Sequence, residues 1–315
     1  MVLEDRWLRE TYVDLLIQYA AENKDIVILE ADLMKAGGTG RFAEEYPDRT
    51  FDVGIQEANM IGTAAGMSAM GKIPFTHTFT AFASRRVCDQ VTLSVAYAGL
   101  NVKMMGSDPG VTAEYNGGTH MSMEDVSIMR NIPGMVVYEP VDSAQLKAVF
   151  PQILEHYGPV YIRLLRRNAV KVFEDGESFT LGKGKLMKEG ADVSIFASGI
   201  MVAEAVEAVE ALQKEGIHAE LINIHTVKPL DEEIVLQSAS KTGCVVTAEN
   251  HSVIGGLGSA VSELLGEKYP VPVKKIGVKD HFGEVGLTPY LKEKYGLTAK
   301  DIATAAKAAI EMKKR

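Results

Sequence analysis

Cysteine is scarce in this chain: Cys88 and Cys244 are the only two, far apart and in no spacing that ligates a metal. A disulfide framework is therefore excluded, and both are expected to be small buried apolar residues in a reducing compartment. A basic excess is also lacking. Among 315 residues the 33 Lys and Arg are outnumbered by 42 Asp and Glu, for a net charge of −9. That balance argues against nucleic acid or an anionic membrane as the main partner. No apolar run reaches the ~18 residues of a membrane span. The opening MVLEDRWLRE is charged and has no signal-peptide core. A cytoplasmic protein is the expectation.

What is present is an ordinary globular composition, 46% hydrophobic and 24% charged. The length suggests two domains. Strand-like runs, each short and bounded by turn residues, fall at 25–30, 72–79, 101–106, 134–140 and 160–165. Helix-like stretches at 58–70, 84–98, 122–130 and 142–156 separate them. Such alternation predicts an α/β fold with a mostly parallel sheet covered on both faces. A polar stretch rich in Gly and Lys, 171–190, reads as a linker with room for a short hairpin. A second α/β series follows, with strands at 191–199, 218–227, 244–250 and 271–278 and helices at 201–215 and 298–313. The domains are expected at 1–170 and 191–315. Ligands of open parallel sheets bind beyond the carboxyl ends of the strands.

One of those ends poses a problem. FDVGIQEANMIGTAAGMSAMG (51–71) places a single acid, Glu57, where a strand gives way to an apolar helix. A buried, unpaired carboxylate costs several kcal/mol or gives up its charge. Either Glu57 faces water, as a helix N-terminal acid, or something meets it. The small residues after it, Gly62, Ala64, Ala65, Gly66 and Ala69, let another backbone come close, as in tight packing on the chain's own sheet.

GIQEANM, PFTHTFTAF and NGGTHMSMEDVSIMRNIPGM occur in that order. Together they resemble the transketolase family of thiamine-diphosphate enzymes, and the resemblance covers nearly the whole chain. In size and content the chain looks like the C-terminal subunit of a split transketolase, made of the pyrimidine-binding and C-terminal domains. The resemblance implies transfer of a two-carbon ketol unit from a ketose to an aldose. Glu57 matches the glutamate that bonds N1′ of the cofactor's aminopyrimidine, and an apolar niche would favour a shared proton there. Phe79 and Phe82 match aromatic side chains against the pyrimidine, and Asp32 an aspartate near the cofactor. His120 matches a histidine facing the substrate oxygens. Arg9 and Arg166 match two arginines that hold a sugar phosphate, a task suited to a planar fork. Arg85 and Arg86 are expected to pair with Asp89 and Glu124.

Three positions depart from the family. Ala36 replaces a common serine, Asn116 an aspartate that meets a substrate hydroxyl, and Asp108 a common histidine. Two unit charges ~5 Å apart at an effective dielectric of ~20 repel by roughly 3 kcal/mol. Asp108 would therefore oppose a phosphate unless it pairs with Arg166 or meets a hydroxyl or cation of an altered substrate. A G-D-G triplet with a downstream asparagine, which holds the cofactor's diphosphate through Mg²⁺ (or Ca²⁺), does not occur in the chain. The resemblance therefore implies an N-terminal transketolase subunit as partner, in an α2β2 heterotetramer. The substrate would be a small sugar or sugar phosphate. Rival readings are a deoxyxylulose-phosphate synthase-like or 2-oxoacid dehydrogenase β-like subunit, and a non-catalytic scaffold. GGLG (255–258) lacks the spacing of a dinucleotide or Walker loop and reads as a structural turn. His225, His251 and His281 read as structural or interface residues.

Overall fold

The apolar runs become strands of two mostly parallel sheets, with a separate antiparallel pair of strands at 3–7 and 168–170, in the computed structural model, which describes residues 2–314. In chain order the strands are β1 (Leu3–Trp7), β2 (Ile26–Glu30), β3 (Thr50–Asp52), β4 (Ile73–Phe79), β5 (Lys103–Ser107), β6 (Val136–Tyr138) and β7 (Val160–Leu164). There follow β8 (Asn168–Val170), β9 (Lys185–Lys188), β10 (Val193–Ala197), β11 (Ala219–Asn223), β12 (Thr226–Lys228), β13 (Val245–Ser252) and β14 (Val273–Val278). The first sheet runs β12-β6-β7-β5-β4-β2-β3 and the second β14-β13-β10-β11-β9. Every residue of β2, β5, β7 and β10 is buried, as strands covered on both faces must be.

On one face of the first sheet, helices Leu8–Glu22 and Ser143–Glu155 bury Leu8, Tyr12, Leu16 and Phe150 against Phe75. On the other face lies helix Glu57–Ala69, with Met60, Ile61 and Ala64 inward. Its small residues divide: Ala64 and Ala65 pack on the chain's own core, whereas Gly62, Gly66 and Ala69 face out beside an exposed Met70. The second domain repeats the scheme, with helices Met201–Lys214 and Ala299–Lys313 on one face and Glu232–Thr242 and Leu257–Lys268 on the other. Among the described residues no helix is long and apolar enough to cross a membrane.

Three expectations need correction. The linker 171–190 is not wholly a connection. Lys185–Lys188 pairs antiparallel with β11, covering backbone groups that the sheet edge would otherwise leave open. The run 218–227 is not one strand. After β11 the chain leaves its own sheet, and β12 pairs antiparallel with β6 of the first domain. The segment 84–98 is not one helix. Ser84 leaves helical geometry (φ −116°, ψ −83°), a 3₁₀ turn covers Arg85–Val87, and the segment Val91–Tyr97 is π-helical. Cys244 is buried as expected, while Cys88 is only half-buried.

The GGLG segment is a structural turn. Glu249 accepts hydrogen bonds from the N–H groups of Leu257 and Gly258 at 2.7 and 2.8 Å. The chain's own carboxylate thus occupies that helix N-terminus. His225 and His251 are buried in the interior, and His281 is exposed.

Candidate active site

Strands β7, β5, β4 and β2 are neighbours, so their carboxyl ends line up. Phe79 is in register with Ser107, Ser107 with Leu164, and His77 with Glu30. Asp108 and Arg166, just past two of these ends, therefore meet although 58 residues separate them. Arg166 Nε lies 3.1 Å from Asp108 Oδ2. That is charge-pairing distance, but the alignment leaves both Asp108 oxygens and Arg166 Nε without a hydrogen-bond partner. Arg9 Nε is also buried and unpartnered. Arg9 enters from the first turn of helix Leu8–Glu22, over the Trp7 ring at 4.2 Å, and is anchored by the Ala36 carbonyl.

Asp108 is 0% exposed and has φ +56°, a conformation uncommon for residues other than glycine. Burial raises its pKa to about 6, against the opposing pull of Arg166, His77 and Arg167. Because the folded value lies above the ordinary one, the unfolded chain binds fewer protons between pH 4 and 6. Any stability tied to this group is full below its ordinary pKa and is lost as pH rises through about 6. Asp108→Asn is therefore expected to raise the melting temperature at pH 7.5, by an amount equivalent to about 1–3 kcal/mol. The gain should vanish below pH ~4. Thermal melts across pH check this, and an equal gain at pH 4 contradicts it.

Glu57 opens its helix as expected and is 3% exposed. It does not stand alone. Thr78 Oγ1 donates to Oε1 at 3.3 Å, and Arg86 Nη1 donates to Oε2 at 2.7 Å. Arg86 thus pairs with Glu57 rather than Asp89, while Arg85 pairs with Glu124 at 2.8 Å. The Arg86 guanidinium also lies 3.8 Å over the Phe82 ring. Phe79 and Phe82 meet edge to face at 6.2 Å, and His120 stands edge-on to both at 5.7 and 5.1 Å. His120 Nδ1 is bonded to Thr119 Oγ1 at 2.9 Å.

Glu57 is thus linked through Arg86 to Phe82, Phe79 and His120, and the Arg166 guanidinium, 5.8 Å over the Phe79 ring, carries the row on to Asp108, while Arg9 is held apart on the Ala36 carbonyl. Asn116 is half-buried at the end of the 3₁₀ helix Gly110–Asn116, four residues before His120, its amide nitrogen unpartnered. Asp32 is exposed just past β2, at φ +59°, and its N–H donates to Asp52 rather than to any of these residues. Sequence reasoning missed a buried row beneath the arginines. His77 Nδ1 lies 2.9 Å from Glu30 Oε2, and His77 Nε2 lies 3.2 Å from Ser107 Oγ. The available signal was a polar residue at the end of two apolar strands, Glu30 of β2 and Ser107 of β5, and a histidine within a third, His77 of β4.

Two family models match: "Transketolase, pyrimidine binding domain" over residues 7–171 and "Transketolase, C-terminal domain" over 182–302. The chain is 70% identical to the 6-deoxy-6-sulfo-D-fructose transketolase subunit SqwH of Clostridium sp. (strain MSTE9), covering 99% of this chain and 97% of that protein. It is 34% identical to a subunit of the apulose-4-phosphate transketolase of Phocaeicola vulgatus, covering 98% and 97%. Among solved structures, a split-gene transketolase described as an inactive beta4 tetramer superposes with TM-score 0.91 at 46% identity, covering 98% of this chain and 99% of that one.

Proposed function

Since the chain belongs to the transketolase family, we propose that it is the C-terminal subunit of a two-subunit enzyme moving a two-carbon ketol unit from a ketose to an aldose. The observation that carries this reading is the niche between Glu57 and Phe82. Arg86 places a flat group with N–H donors there, over the ring and bonded to the carboxylate. A protonated aminopyrimidine has the same two features, so the residues present fit that half of thiamine diphosphate. When bound, this cofactor supplies the carbon nucleophile that opens the donor's carbon–carbon bond.

The chain's own residues have separate tasks. Glu57 Oε2 holds a proton against the pyrimidine nitrogen once Arg86 has moved aside. Phe79 and Phe82 orient the ring, and offset packing adds ~0.5–1.5 kcal/mol beyond burial. Thr119 fixes His120 through Nδ1, which leaves Nε2 for the substrate oxygens or a proton transfer. Asp32, past the end of β2, would stand near the cofactor, and Asn116 would offer its unpartnered amide to a substrate hydroxyl. Arg9 and Arg166 hold the far end of the substrate.

The diphosphate and its Mg²⁺ (or Ca²⁺) would be held by an N-terminal partner subunit in an α2β2 assembly, in the cytoplasm. The absence of a G-D-G triplet from the chain supports this, as do the outward small residues of helix Glu57–Ala69. The description of the solved relative as an inactive beta4 tetramer accords with it. The donor we propose is 6-deoxy-6-sulfo-D-fructose, for which the 70% identical relative is named. Mixing both subunits with cofactor, Mg²⁺, this ketose and an aldose phosphate is expected to release a sulfonated aldose two carbons shorter. Mass spectrometry detects it. Absence of that product, or CO₂ release from pyruvate in its place, overturns the proposal.

A further inference from the structure

Transketolase chemistry does not need a carboxylate at the far end of its substrate, yet Asp108 faces Arg166 there and its charge reaches Arg9. Its surroundings can be counted. Arg9 and Arg166 each bring one positive charge, and Asp108 brings one negative. Arg167 is neutralised by Glu114 at 2.7 Å, and His77 faces Glu30 at 2.9 Å. Glu10 is engaged by Arg6 at 3.5 Å. The two arginines and the aspartate leave one net positive charge.

Several polar atoms there are buried and hydrogen-bond nothing: Arg9 Nε, Arg166 Nε and both Asp108 oxygens. Buried polar groups are normally satisfied, so this cluster has one free donor, Arg9 Nε, to offer an anion beside one fixed repulsive group, with Arg166 Nε already turned toward Asp108. Sulfonate and phosphate monoester present similar oxygens but differ in charge. A sulfonate carries a single charge at any ordinary pH, whereas a phosphate monoester carries about −1.5 to −2 at pH 7.

We propose that Asp108 sets this pocket's charge to match a singly charged terminus and so selects a sulfonated ketose over the corresponding ketose phosphate. This rests on the functional reading above. One arginine charge answers the anion and the other answers Asp108. A second negative charge on the ligand meets the carboxylate with no cation left to offset it. Discrimination built on a repulsive element is a general route to specificity. The residue is shielded from solvent, so screening by salt is weak.

The test uses the assembled two-subunit enzyme with cofactor and Mg²⁺ at pH 7.5. The donors are 6-deoxy-6-sulfofructose and fructose 6-phosphate, and the proteins are wild type and Asp108→Asn. Wild type is expected to favour the sulfonate by at least tenfold in kcat/KM. Asp108→Asn is expected to shrink that preference at least tenfold, chiefly by lowering KM for the phosphate. A ratio unchanged within twofold in the variant, or a wild type that prefers the phosphate, overturns the inference while leaving ketol transfer intact. A wild type inactive with both donors overturns the functional reading and this inference together. A second measurement needs no variant: inorganic phosphate and methanesulfonate compete against the sulfonated donor in wild type. Methanesulfonate is expected to inhibit at least tenfold more strongly, and equal or stronger inhibition by phosphate counts against the assignment of Asp108.

Discussion

Glu57→Gln is expected to lower kcat of the assembled enzyme by about three orders of magnitude, the scale of a positioned proton-transfer group. The substitution keeps the shape of the side chain. The Gln oxygen can still accept from Thr78, so the hydrogen bond at 3.3 Å has a counterpart in the variant. What disappears is the capacity to hold a proton at Oε2. The Arg86 guanidinium loses a charge partner but keeps its place over Phe82, and its side chain is partly exposed. Folding and assembly are therefore expected to match wild type by sedimentation and thermal melting. Turnover at wild-type level would show that the carboxylate has no part in the chemistry and would revive the scaffold reading. Arg86 adds a second expectation on the same carboxylate. Because it occupies the Glu57–Phe82 niche in the isolated subunit, removing it should not abolish turnover as Glu57→Gln does.

Why some of this could be read from the sequence, and some not, follows from the range of the interactions. Strands β2, β5 and β7 are covered on both faces, so each is an uninterrupted buried run and visible locally. Glu57 was visible because a lone acid in an apolar segment is anomalous whatever surrounds it. Its partner was not visible. Arg86 reaches it across 29 residues, from a segment that changes from 3₁₀ to α to π geometry between Arg85 and Tyr97. A regular helix over 84–98 would have directed that side chain elsewhere. The Glu30–His77–Ser107 row was hidden for a related reason. Its members come together only through the registers of β2, β4 and β5, and one sequence does not say which strands are adjacent. Strand β12 was hidden too, because what it satisfies is the open edge of a sheet in the other domain.

Arg163→Met is expected to be strongly destabilising although it removes no side chain proposed to touch the substrate. Arg163 is 0% exposed on β7, and each of its nitrogens is engaged. Nε donates to Asp125 Oδ2 at 2.7 Å, Nη1 to Glu139 Oε1 at 2.5 Å, and Nη2 to the Asn250 carbonyl at 2.7 Å. Tyr161 adds its hydroxyl to Asp125 at 2.8 Å. Burial by itself would raise the Asp125 pKa, but Arg163 outweighs it and holds the group below the usual carboxylate range. Methionine of similar length would leave two carboxylates buried without their cation. Breaking a buried pair in this way costs about 3–5 kcal/mol, or roughly 10 °C in Tm at the 2–4 °C per kcal/mol typical of chains this large. The loss has a sign in pH. Stability from Asp125 is present above its unfolded pKa and lost as pH falls through the lower folded value. The gap between wild type and variant should therefore be widest near pH 7 and narrow in acid, where the variant's carboxylates protonate. Adding Asp125→Asn to the variant should recover part of the loss, since it removes one unpaired charge. The effect also reaches the site through Asn250. That residue's side chain accepts from Val111 N–H at 3.0 Å and donates to the Pro109 carbonyl at 2.9 Å. Between them Gly110 has φ +50°, and a Cβ there would lie 2.3 Å from Asn250 Oδ1, so the second domain grips the turn that follows Asp108. Loosening the Arg163 anchor should therefore raise KM for the proposed sulfonated donor before the protein unfolds, and a KM unchanged at 25 °C would confine Arg163 to the core.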